Sequence, residues 1–234
     1  MMTSAAKTWL KKTVRGLRQR LLLDLRDGVD SRYKWAIKRG DAVLDEANFK
    51  KRARLEEWLN GQVRSAPRGA KETDLEARER YLSEAIKLHA ATFLNRLIVV
   101  RQMETLGLFP TKVLTGGWGS SGYKSFRESA PDAKLLESEG YSFLCQTIFD
   151  ELSLQLPDLF APAPLESLFI FSTTMWRDVV KTLDADDLSN DERQGLWEDD
   201  TLLGWVYQFW NDPDREALDL KIIPWNQYLW SPKP

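Results

Sequence analysis

The stretch Gly117-Trp-Gly-Ser-Ser-Gly-Tyr-Lys-Ser125 comes close to a phosphate-binding loop. Such a loop needs a glycine, four residues, then Gly-Lys-Ser/Thr, so that backbone N–H groups and the lysine close together on phosphates. Here Tyr123 intervenes between Gly122 and Lys124, and Thr111-Lys-Val-Leu114 offers at best a very short preceding strand. The spacing reads as an ordinary turn. A second candidate is Pro213-Asp214 followed by Asp219-Leu-Lys221, which loosely mimics the two carboxylates and lysine with which many nucleases hold Mg²⁺ and orient water. The carboxylates of that signature sit on adjacent strands. This stretch has helical character, so a capped, solvated helix start is the plainer expectation.

His89 is the single histidine and lies between Leu88 and Ala90, with no Ser or Cys nucleophile motif beside it. A packed or surface role is expected. The clusters Asp184/Asp186/Asp187 and Glu198/Asp199/Asp200 read as solvated turns and helix starts rather than Ca²⁺ ligands. Cys145 is the only cysteine, which excludes an internal disulfide framework, and one His with one Cys is too few for a Cys/His zinc site. This cysteine usage fits a cytoplasmic location.

The elements that must position these residues are helices. Residues 5–26 put Trp9, Leu10, Leu17, Leu21 and Leu25 near one face, with Lys7, Lys11, Lys12, Arg15 and Arg18 around the rest. Residues 31–63 read as one or two helices interrupted near Gly40-Asp41, and Ser65-Ala-Pro-Arg-Gly69 as a loop. From Thr73 to Leu106 the pattern Leu75, Leu82, Ile86, Phe93, Leu97, Val100 predicts a long helix. Thr73 with Glu76 forms its capping box, and Gly107 with Pro110 its stop. Further helices are expected at 138–156, 164–183 and 198–210, the first two separated by Pro157, Pro162 and Pro164. Leu168-Phe-Ile-Phe171 is short enough to be strand, without sustained alternation. The fold class expected is therefore mainly α, a multi-helix domain with long loops and little or no sheet. The organisation expected is a basic helical segment over 1–66, a helical domain over 67–219 and a divergent Trp/Pro-containing tail over 220–234.

The net charge of −2 hides an asymmetry: residues 1–104 hold 23 Lys/Arg against 14 Asp/Glu, and the remainder 10 against 21. A basic half can dock on phosphates; equally, the two halves can neutralise each other within one fold. The basic first helix could also lie solvated or on a membrane surface. Nucleic acid is the preferred functional reading, because Arg and Lys continue through Arg52, Arg54, Arg64 and Arg68. No run of about 18 apolar residues marks a transmembrane helix. Leu21-Leu22-Leu23 is cut short by Asp24 and Arg26, too early for a signal sequence. No membrane partner is expected. Ten tryptophans point to anchored helix packing or a partner surface.

Three stretches carry a resemblance. Phe93-Leu-Asn-Arg-Leu97, continuing through Arg101 and Glu104-Thr-Leu-Gly107, resembles the T-x-x-N-R-x-x-x-x-R-x-x-E-x-x-G helix of large adenine-specific DNA methyltransferases. These include the BREX-type phage-defence enzymes and related single-chain restriction–modification enzymes. Val113-Leu-Thr-Gly-Gly-Trp-Gly-Ser-Ser-Gly-Tyr-Lys-Ser-Phe-Arg127 looks like the loop that follows in one branch. Leu203-Gly-Trp-Val-Tyr-Gln-Phe-Trp-Asn211 is similar to the G-W-x-Y-Q-x-W/Y-N segment that precedes the catalytic domain.

The resemblance spans roughly residues 10–219. It implies a helical N-terminal region leading into a Rossmann-like domain that binds S-adenosylmethionine and holds a flipped adenine at Asn-Pro-Pro-Tyr. Neither that motif nor the Gly-containing cofactor loop occurs here, and residues after Asp219 depart from the family pattern. No catalytic residue is carried over. The chain reads as truncated before the catalytic domain or as one half of a split enzyme, with no cofactor of its own. The partners implied are double-stranded DNA and a methyltransferase catalytic domain or subunit.

Arg15, Arg18, Arg52, Arg54 and Arg96 are the candidate DNA contacts, Arg96 having a helix-to-helix ion pair as its alternative. Trp205, Phe209 and Trp210 are candidate partner-packing residues, with Gly204 permitting close approach and Asn211-Asp-Pro-Asp214 ending one helix and starting the next. An exposed apolar patch is expected near residues 203–230. A free-standing protein-interaction module and a metal-dependent nuclease using Asp214, Asp219 and Lys221 are the alternatives.

Overall fold

The helix expected over 5–26 forms, and it does not stop there. In a computed structural model, which describes residues 2–65, 72–109, 111–163 and 165–219, α1 runs Ser4–Tyr33. Thr3 caps its start by accepting from the Ala6 N–H at 3.1 Å. Ala6, Leu10, Val14, Leu17, Leu21, Leu25, Val29 and Tyr33 recur every three or four residues and are all buried. The unbroken stripe drives burial along the entire helix. The chain leaves α1 through Lys34 in the left-handed region, with φ 49°.

The break between α1 and α2 (Glu46–Ser65) is therefore wider than the expected interruption near Gly40-Asp41. Arg52 explains part of it. Its guanidinium reaches from α2 to the carbonyls of Tyr33 and Lys34 at 2.9 and 3.0 Å and of Ile37 at 2.5 Å. Carbonyls at a helix C-terminus have no intrahelical donor, so α2 supplies one.

α3 (Asp74–Thr105) begins at the expected capping box: the Thr73 N–H donates to Glu76 at 2.8 Å, and the Glu76 N–H donates to the Thr73 hydroxyl at 3.3 Å. Its first half buries one stripe. From Phe93 to Val100 it is buried almost all round, because it is enclosed by α1, by α2, by α6 (Pro157–Phe160), by α8 (Asn190–Trp197) and by α9 (Leu202–Asp219). α4 (Ser121–Ser129), α5 (Tyr141–Ser153) and α7 (Thr173–Leu183) complete the assembly. All described elements are helices or short helical turns, with no strand among the described residues. The fold is mainly α. One apolar cluster runs from Ala6 to Trp210, so residues 1–66 and 67–219 share a core. The connection between them lies mostly outside the described residues, as does the tail from residue 220.

Four local expectations need correction. The helix expected over 138–156 starts only at Tyr141, because Ser138, Glu139 and Gly140 all have positive φ, 54°, 56° and 82°. Gly140 also lies against the Ala133 carbonyl, where a Cβ would sit 2.7 Å away. The helix expected over 164–183 starts at Thr173. Before it, Phe169 and Phe171 are buried on an extended segment that has no ladder partner among the described residues. Asp24 of α1 fixes this boundary by accepting from the Ser172 N–H at 2.9 Å and its hydroxyl at 2.5 Å. α8 is an addition to the expected set, although its Ser189-Asn-Asp-Glu192 capping box is legible. Last, Asn211-Asp-Pro-Asp214 ends no helix. α9 runs through Pro213, which removes one N–H donor, because the turns beyond it are tied to α1 and α3 by the ion pairs of Asp214 and Glu216 described below.

Candidate functional site

The two oppositely charged halves of the chain meet face to face. Arg15 pairs with Glu216 at 2.6 Å, Arg18 with Asp214 at 2.8 Å, Arg20 with Asp178 at 2.6 Å and Arg32 with Glu137 at 2.9 Å. Lys87 also pairs with Asp214, and Arg96 with Glu166. Much of the charge asymmetry is thus neutralised inside one fold. Of the five arginines considered as DNA contacts, Arg52 and Arg96 are 3% and 2% exposed and donate to groups within the chain. Neither reaches a phosphate in this arrangement. Arg15 and Arg18 are partly exposed beside their carboxylates, and Arg54 is exposed. Lys11 and Lys12 face outward from α1.

Residues of the 92–107 motif act as clamps. Arg96 donates through Nε to the Leu159 carbonyl and through Nη2 to the Ala161 carbonyl, both at 2.9 Å, and through Nη1 to Glu166. Further along the same helix, Glu104 is 4% exposed and accepts four hydrogen bonds. These come from the N–H groups of Val113 at 2.6 Å, Leu114 at 2.7 Å and Thr115 at 2.8 Å, and from the Thr115 hydroxyl at 2.6 Å. Tyr141 donates its hydroxyl to the Val113 carbonyl at 2.9 Å and stacks on Trp118 with centroids 4.0 Å apart.

The glycine loop that follows is closed on itself. The N–H groups of Gly117, Gly119, Ser120 and Gly122 donate to Leu114, Gly116, Gly117 and Lys112 carbonyls, the Gly116 N–H donates to Asp184, and the Ser120 hydroxyl caps Tyr123. Donors that a phosphate would need are turned inward, which is why the loop is a turn.

On α9, Phe209 and Trp210 are buried, with Leu202 and Val206, against α1 and α3. They complete the core of this chain rather than waiting for a partner. Trp205 is half-buried under the Lys7 ammonium, 3.1 Å from the ring centroid. Among the described residues nothing lies within 4 Å of a Cβ placed on Gly204, so none of them requires its close approach. The outward side of α9 shows Leu203 and Tyr207, the latter 70% exposed, with Leu88 of α3 across a groove of about 380 Å³.

Among the acidic candidates, Asp214 is held below the usual carboxylate range. Burial opposes this, but Lys87 and Arg18 outweigh it. Asp199 is lowered chiefly by Thr201 and also accepts from the Met2 N–H at 2.5 Å. Asp184 goes the other way: burial raises it, against the Gly116 hydrogen bond. Asp186 pairs with Arg193 at 3.4 Å. No group of three potential ligands is arranged for a metal among the described residues. Lys221 and the side chain of Asp219 lie outside what is described.

His89 lies where two grooves of the surface meet. It stacks on Phe171, centroids 5.5 Å apart at 16°, and tilts against Phe169 at 5.6 Å. Burial pushes its pKa down to about 4; Glu166, the next largest influence, opposes this, Arg96 adds to it, and the Phe169 backbone acts with Glu166. An unfolded imidazole titrates near about 6.5, so below that pH the unfolded chain gains a proton that the folded chain refuses. Acidification from pH 7 to pH 5 is expected to cost about 2 kcal/mol of stability through this residue. Urea unfolding of the parent and His89→Phe at both pH values checks this. A variant whose stability falls as steeply as the parent's would clear His89 of the effect.

Sequence reasoning missed the structural roles of Glu104, Asp24 and Arg52. Glu104 alone had a signal, its place in the motif; the partners of Asp24 and Arg52 depend on how distant segments meet. No family model, curated protein or solved structure matches this chain.

Proposed function

We propose that this chain is the non-catalytic helical region of an adenine-specific DNA methyltransferase-like protein of a restriction–modification or phage-defence system. It works by holding surfaces in place, not by chemistry of its own. The observation that supports this best is the position of the motif residues: Arg96, Glu104 and the 113–123 loop are joints of one rigid assembly, as a recurrent scaffold would require. The catalytic domain, with S-adenosylmethionine, would be supplied by a continuing chain or a separate subunit. DNA-backbone contact falls to the outward cations of α1, Lys11 and Lys12 with Arg15.

The coding DNA downstream is the direct test. Translated in three forward frames, it is expected to contain an Asn-Pro-Pro-Tyr motif and a Gly-containing cofactor loop; lack of both would remove the methyltransferase reading. For the DNA contact, the purified chain is expected to retard a duplex at low salt. The Lys11→Glu/Lys12→Glu variant should reduce the slope of log K against log salt by about 0.9 for each phosphate that it no longer neutralises. No retardation at low salt would confine the role to scaffolding.

A free-standing protein-interaction module is the second reading. It is favoured by the exposed Tyr207 and Leu88 on the two sides of the α3/α9 groove.

A further inference from the structure

Two grooves of about 620 and 380 Å³ meet at His89 and share Ala163, Glu166 and Phe169 as a common wall. Both volumes fall within the range of small-molecule sites, and their linings are mainly apolar with a few polar groups, as such sites are. The larger groove has a continuous aromatic wall. His89 stacks on Phe171, Phe93 stacks on the same ring with centroids 4.2 Å apart, and Trp176 meets Phe93 edge-on at 4.7 Å and 87°. At its rim stand Ser142, Gln146 and Ser167, which are neutral hydrogen-bonding side chains, and the exposed Arg54.

Charge narrows the occupant. The Glu166 carboxylate is neutralised by Arg96 and also accepts from the Ala163 N–H at 3.0 Å. His89 is uncharged at neutral pH. The groove therefore offers a π-rich wall and neutral polar groups around the paired Glu166 carboxylate, with the exposed Arg54 also in its lining. The wall is also fixed before any ligand arrives. Arg96 holds Leu159, Ala161 and Glu166, the Tyr33 hydroxyl holds the Leu168 carbonyl at 2.7 Å, and Asp24 holds Ser172. A preformed wall lowers the ordering cost of binding. Ser142 already donates to the Glu137 carbonyl and Gln146 to Asp150, which leaves the Ser142 hydroxyl oxygen, the Gln146 amide oxygen and the Ser167 hydroxyl to meet a ligand; an alkyl chain would use the apolar area but none of these. A flat heterocycle with donors and acceptors on its edge uses both.

We propose that the groove at His89 binds a purine nucleoside, its base set against the His89–Phe171 wall and its polar edge turned to Ser142, Gln146 and Ser167. The assignment does not rest on the methyltransferase reading, since the groove is built from this chain alone.

Adenosine is the probe, followed by saturation-transfer NMR and calorimetry on the full chain, with octanoate as the apolar control. Saturable adenosine binding is expected, with octanoate a poor competitor. Ser167→Trp, a substitution at an exposed rim position that leaves the core untouched, should weaken adenosine by about tenfold or more, in the range that removal of one stacked base produces. His89→Phe, which keeps the ring and removes the nitrogens, should weaken it less. The proposal is overturned by an absence of saturable binding, by binding that Ser167→Trp leaves unchanged, or by octanoate displacing adenosine as well as adenosine itself does.

Discussion

Glu104→Ala is expected to destabilise the protein by about 4 kcal/mol or more, the largest effect of any single side chain considered. The carboxylate accepts from three consecutive backbone N–H groups and one hydroxyl at the root of the 113–123 loop. It does so at a site 4% exposed. Truncation leaves the N–H groups of Val113, Leu114 and Thr115 without an acceptor, and each buried orphan costs about 1–3 kcal/mol. Glu104→Gln separates shape from acceptor capacity. Its amide oxygen can still serve Val113 and Leu114, but its NH₂ would face the Thr115 donors, so about half the loss is expected. Urea midpoints at constant m value measure both variants. The Trp118–Tyr141 stack next to the loop gives a local report in near-ultraviolet circular dichroism. A loss below about 1 kcal/mol in Glu104→Ala, with that signal intact, would mean water satisfies the loop equally well.

Arg96→Met should follow closely, at about 3–5 kcal/mol. The substitution strands the Leu159 and Ala161 carbonyls and leaves Glu166 facing apolar rings without its cation. Arg96→Lys keeps the charge but cannot present a planar fork to three acceptors, so it should recover only part of the loss. A double-mutant cycle with Glu166→Gln isolates the ion pair from the two carbonyl bonds. The same variants discriminate between two roles for Arg96. An internal clamp predicts lost stability. A phosphate contact predicts stability retained and DNA retardation reduced, and that outcome would displace the clamp.

What could be read from the residues has a common character: it concerns groups within four positions of each other. Thr73 and Glu76 close their capping box because both partners lie in one turn. The stripe from Ala6 to Tyr33 was legible in part, through Leu10, Leu17, Leu21 and Leu25, since periodicity is a local property. The long third helix was legible for both reasons. Local rules failed where a distant segment outweighed them. Pro213 should stop a helix, yet α9 continues because Arg18, separated from Asp214 by 196 positions, and Lys87 hold the next turn.

The candidate site divides along the same line. His89, Phe93 and the Phe169–Phe171 stretch could each be noticed, but nothing in their spacing predicts that one extended segment will bring these rings into a single wall. Arg52 and Arg96 look alike in sequence to Arg15 and Lys11, basic residues on helices. Burial makes the difference: Arg52 sits over the end of α1 and Arg96 under Leu159 and Ala161, while Lys11 faces water.

By itself, then, the sequence determined that this protein is helical, where its longest helix begins, and that its charge is split between two halves. Each of these follows from composition or from interactions within a turn. The tertiary structure decided which charges are compensated and which remain outside, where α7 and α9 start and stop, and that the aromatic residues around His89 form a groove. Those outcomes depend on side chains 70 to 201 positions apart, as with Arg96 and Glu166 or Arg15 and Glu216. Such pairs meet because the apolar stripes of α1, α3 and α9 pack together, and where the cation is buried, as at Arg96, its pairing is required because an unpaired buried charge is costly.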